Sequence, residues 1–146
     1  MTASTDILNP VTPIQQGAVL SSSNPLPVSG SLTPYPIGGT VITGNATGTT
    51  GAVVGTLAGT SGKTTYIAGF SVSAIGGTAA VGPITVAGLV TSSMIWYLAS
   101  SAAGNQLTIS FSPPIPASAT NTAITITTTA DGTASHVAVN SWGFQL

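Results

Sequence analysis

The residues able to do chemistry are few. In 146 residues the ionised side chains are Asp6, Asp131 and Lys63, His136 is a fourth that can titrate, and arginine, glutamate and cysteine do not occur. The segment TSGKTT at 60–65 has the look of the end of a phosphate-binding loop. Such a loop needs G-x-x-x-x-G-K-[ST] between a strand and a helix, so that backbone N–H groups and the helix N-terminus surround the phosphates. Here Leu57 stands where the first glycine is required, and a strand pattern follows Lys63. The segment therefore reads as a turn at Gly62 carrying a lysine.

His136, Asp131 and Ser135 supply the residue types of a hydrolytic triad. They lie within six consecutive residues, and Ser135 and His136 would point to opposite faces of an extended strand. A pair of carboxylates for glycoside hydrolysis would have to be Asp6 and Asp131, at opposite ends of the chain. One histidine and two distant aspartates do not make a transition-metal site, and without cysteine there is neither a thiolate ligand nor a disulfide. The expectation is a protein that is not an enzyme and that takes no cofactor or metal.

Trp96-Tyr97 and Trp142 could offer sugars a stacking platform, but rings at strand positions serve more often as core or interface anchors. The Thr-rich run ITITTT at 124–129 evokes ice-binding or silk-like repeats, yet no fixed period runs through the chain.

The elements that must position these residues can be read from composition and pattern. Ordinary soluble domains carry roughly a quarter charged residues; this chain carries 2%, with net charge −1. A surface near zero net charge tends to self-associate, and charge is depleted at the centres of protein interfaces. The composition therefore suits a protein whose surface is covered by partners. A homo-oligomer, most simply a trimer, is expected, because symmetric association covers such a surface. With 42% hydrophobic residues the chain should fold.

Lys63 alone cannot neutralise a phosphate backbone, which argues against nucleic-acid binding. The apolar windows AAVGPITVAGLV and MIWYLA fall short of the ~20 residues a membrane helix needs. The beginning MTASTDILNP has neither the basic nor the apolar segment of a signal peptide.

Composition changes near residue 50. Residues 1–50 hold six of the ten prolines and only one of the eight aromatics, Tyr35. Proline fixes φ and extends the residue before it, so NPVTP, NPLPV and TPYP read as extended chain. Apolar side chains recur between them, among them Ile7, Leu8, Val11, Ile14, Val19 and Leu20. The segment reads as an extended arm, 1–50, that buries these residues against a neighbour; a leader without fixed structure is the alternative. Tyr35, Trp96 and Trp142 join the six as expected interface residues.

Residues 51–146 read as one all-β domain, a single jelly-roll-like β-sandwich of seven to eight antiparallel strands. TTYIAGFSVSA alternates with period 2, setting Tyr66, Phe70 and Val72 on one face and Ile67, Ser71 and Ser73 on the other. QLTISFS and NTAITITTT alternate in the same way. Asp131-Gly132 signals a hairpin pairing 122–130 with 134–145, and turns are expected at Gly62, Gly76-Gly77, Ser92-Ser93, Gly104-Asn105 and Pro113-Pro114. In the last strand Val137 and Val139 have one parity and Trp142 and Phe144 the other. Either a bulge near Asn140 brings both sets to one side, or the two rings face a partner.

Three stretches carry a family resemblance: TTYIAGFSVSAIGGTAA at 64–80, FSPPIPASATNTAITITT at 111–128 and VNSWGFQL at 139–146. Together they resemble small β-rich proteins encoded among the virion structural genes of tailed bacteriophages. The resemblance spans roughly residues 63–146 and implies a virion component assembled in the host cytoplasm. β-Sandwich phage proteins with extended arms are similar to capsid decoration, or cement, proteins. These sit as trimers on the head and clamp neighbouring major capsid subunits. The alternative the resemblance leaves open is a tail, collar or fibre module that contacts another virion protein or a host surface glycan.

Overall fold

A computed structural model of the chain describes residues 35–76, 83–98, 103–131 and 136–146. Among them there is no helix, and eight strands follow one another: β1 (Thr40–Gly48), β2 (Thr50–Leu57), β3 (Thr65–Ile75), β4 (Ile84–Ala87), β5 (Met94–Trp96), β6 (Asn105–Pro116), β7 (Ile124–Asp131) and β8 (His136–Gln145). Threonine, valine and isoleucine dominate these segments, and their branched side chains fit a pleated surface better than a helix. Glycines at positive φ mark the breaks expected at Gly62, Gly76 and Gly104.

The chain folds back on itself as nested antiparallel pairs: β1 with β8, β2 with β7, β3 with β6 and β4 with β5. The further ladders β3–β8 and β4–β7 join the pairs into two four-stranded sheets, ordered β1-β8-β3-β6 and β2-β7-β4-β5. This is the strand order of a jelly roll. β1 lies against β2 and β8 against β7 across the sandwich. Between the sheets Leu57, Ile67, Phe70, Val86, Ile126 and Val139 have no exposure at all. Each such side chain contributes about 1.5–3 kcal/mol relative to an exposed position.

Four expectations are corrected. The first is the boundary at residue 50. Thr40–Gly48 is a sheet strand in full register with β8, so part of the stretch assigned to the arm belongs to the sandwich. Within 1–50 the prolines stop at Pro36, and every residue of Thr40–Gly48 can donate to a ladder.

The second concerns Asp131-Gly132. β7 pairs with β2 and β4 while β8 pairs with β1 and β3, so the strands flanking this dipeptide belong to opposite sheets and form no hairpin. Both are central strands, each already paired along both of its edges.

The third concerns Pro113-Pro114, which lies inside β6 and not in a turn between strands. The register of β3 on β6 jumps from Ile67↔Ile115 to Gly69↔Ser110, leaving residues 111–114 without ladder partners. Proline is tolerated there because β6 is an edge strand and the bulge requires no N–H from it.

The fourth concerns the bulge itself. The register of β8 shifts against β3 between Ile67 and Gly69, so the extra residue is in β3, and β8 alternates without interruption. The parity of β3 therefore changes at Ala68. Ile67 turns inward with Phe70 and Val72 and is fully buried, while Tyr66 goes to the outer face.

Candidate functional site

Lys63 ends the turn that Gly62 makes at φ 75°, its N–H donating to the Thr60 carbonyl at 3.0 Å. Its ammonium donates to the Thr40 hydroxyl at 3.1 Å, and β3 begins two residues on. The backbone around the lysine is thus a loop entering a strand, with no helix N-terminus to receive a phosphate.

His136 opens β8 and is exposed at the rim of a hollow of about 340 Å³, lined also by Thr47, Thr49, Ser73 and Ile75. The lining supplies hydroxyls and one imidazole, and no carboxylate to orient that imidazole. Of its proposed companions, Asp131 ends β7 in register with Thr50, and Ser135 lies outside the described residues. Among the described residues no three His, Asp or Glu side chains gather as a metal site would require.

The eight aromatic residues divide into three environments. Phe70, Trp96 and Phe111 form one cluster, with Trp96 edge-on to Phe70 at 5.2 Å and 6.2 Å from Phe111. Trp96 thereby fastens the short strand β5 to the core. Tyr35, Tyr66, Trp142 and Phe144 occupy the outer side of the β1-β8-β3-β6 sheet. There the Tyr66 and Phe144 rings stack at 4.9 Å with 9° between their planes, and Tyr35 meets Phe144 edge-on at 5.7 Å. A turn closed by the Gly39 N–H on the Pro36 carbonyl folds Tyr35 back onto this cluster. The indole of Trp142 crosses the sheet over Gly69, where a Cβ would collide with the ring and with the Ile109 carbonyl. Tyr97 stands apart, 79% exposed, just beyond β5.

The sequence reading missed the Tyr66–Phe144 stack, since period 2 alone placed Tyr66 beside Phe70. The signal that could have located it is the small pair Ala68-Gly69, where an extra residue is easily absorbed. Of the expected interface residues, Tyr35 and Trp142 are half-buried on the outer face and Trp96 is half-buried against the core. Ile7, Leu8, Val11, Ile14, Val19 and Leu20 lie outside the described residues.

Both outer faces share one chemistry. On the first, Thr43, Asn45, Ser71, Asn140 and Thr108 stand on neighbouring strands below the aromatic cluster. On the second, Thr56 is opposite Thr125, and Val54, Thr127, Thr85 and Ile95 form a row across the four strands. Hydroxyls and amides both donate and accept, so such faces can adapt to many polar partners. They can be covered without removing water from an ion, the step that makes charged surfaces costly to bury. Comparison with family models, with curated proteins and with solved structures finds no match to this chain.

Proposed function

We propose that this chain is a non-catalytic structural subunit of a bacteriophage particle, a head decoration protein that binds neighbouring major capsid subunits and associates with copies of itself. The observation that carries the reading is the pair of sheet faces built from threonine, serine, asparagine and branched aliphatic residues, without a charged side chain at the positions named above. Faces of this kind favour burial under protein, and the described residues still expose Val41, Ile75, Val90 and Ile95 by more than half. The resemblance of 64–80, 111–128 and 139–146 to tailed-phage structural proteins supplies the setting. A jelly roll is compatible with it, although the fold serves many functions and does not choose among them.

In this reading the apolar residues of 1–34, Ile7 to Leu20 among them, attach the subunit to its neighbour. The test compares the full chain with residues 35–146 for binding to particles lacking the protein, with bound copies counted in cryo-EM maps. Full occupancy by the long form and strong loss by the short one, with the β-sheet circular dichroism unchanged, is expected. Equal binding would remove the clamp. The exposed Tyr97 favours a second reading, a tail, collar or fibre module meeting a host glycan, and density on the tail instead of the head would select it.

A further inference from the structure

The four edge strands of the sandwich are not alike. On one side, β5 is only three residues long, and β6 carries Pro113, Pro114 and Pro116 together with its bulge. Short strands, prolines and bulges are the devices that keep an edge from pairing with another chain. On the other side stand β1, nine residues, and β2, eight residues, neither holding a proline or a charged residue. Among the described residues nothing pairs with their outward edges. The two strands are joined through Thr49 alone and lie one against the other, so close that a Cβ on Gly44 would collide with the Thr56 carbonyl; among the described residues this side therefore presents two open ladders side by side, one per sheet.

The geometry points to a second copy of this chain as the partner for that side, pairing β1 with β1 and β2 with β2, each antiparallel, about a two-fold axis perpendicular to the sheets. A lone peptide strand can satisfy only one ladder, whereas a second copy brings two at the matching separation. Isologous pairing of a surface with itself is the commonest symmetric contact.

Charge selects the antiparallel arrangement. Lys63 is held at the Thr40 end of β1 by its bond to that hydroxyl. A two-fold perpendicular to the sheets sets the lysines of the two copies at opposite ends of the shared edge. A two-fold along the strands would instead set lysine beside lysine. The result is two continuous eight-stranded sheets across the pair.

The test uses the full chain in sedimentation, together with variants on exposed positions. The unaltered protein should sediment with the mass of two chains, in place of the three expected from composition and resemblance. Thr43→Lys combined with Asn45→Lys places like charges across the axis and should raise the dimer Kd about tenfold or more. Gln106→Lys with Thr108→Lys, on the blunted edge of the same sheet, should leave it unchanged. Since the chain has no cysteine, Asn45→Cys should yield covalent dimers on mild oxidation and Thr108→Cys should not. A mass of one or of three chains, lysines at 43 and 45 without effect, or equal crosslinking through 45 and 108 would overturn the proposal.

Discussion

At the scale of single residues, exposure separates side chains that composition treats alike. Phe70 is fully buried and touches both Trp96 and Phe111, so Phe70→Ala removes a ring from the centre of one side of the core. The expected loss is about 3–5 kcal/mol, read as a lower denaturant midpoint, while Tyr97→Ala should stay within about 0.5 kcal/mol of the parent. Polar residues are also recruited inside. The Gln145 amide is buried and donates to the Ala58 carbonyl at 2.7 Å and the Thr65 hydroxyl at 3.2 Å, closing the sandwich where β2 leads to β3. Gln145→Ala leaves the part-buried Ala58 carbonyl and the buried Thr65 hydroxyl without that donor, still bonded to each other at 3.4 Å, and should cost about 1 kcal/mol; equal stability in urea titration would show that water replaces the amide. None of this could be read from the sequence, where Gln145 looks like one more polar residue near the chain end.

At the scale of elements, alternation located the strands well, because a strand buried on one face must alternate. It failed where the chain gains a residue. Ala68 shifts β3 by one position, which lets Ile67 and Phe70 share the core while Tyr66 and Phe144 stack outside. Deleting Ala68 should therefore turn one arm of β3 inside out, exposing Ile67 or Phe70 and burying polar groups in their place. The expected outcome is loss of cooperative thermal unfolding, whereas Ala68→Ser, which keeps the count, should melt within a few degrees of the parent. Period 2 carries no information on which strand holds a bulge, since the sequence contains the alternation and the register exists only between two strands.

At the scale of the whole molecule, hydrophobic burial and backbone pairing hold the fold almost unaided by charge. With side chains that can carry charge near neutral pH confined to Asp6, Lys63, Asp131 and His136, screening has little to act upon. The melting temperature should be nearly the same at low and high salt, and a shift of many degrees would reveal an ionic contribution that the sandwich does not contain. The sequence by itself determined that the chain is all-β, where most of its strands lie and that its surface lacks charge, because these follow from composition and from local alternation along one strand. It led to a false hairpin at Asp131-Gly132 and to a boundary ten residues past the start of β1 at Thr40. The tertiary structure decided which strands are neighbours, which rings face outward and which edges go unpaired among the described residues. Pairing between residues as distant as Thr40 and Gln145 depends on how every intervening strand has already been placed, and no local pattern encodes that choice.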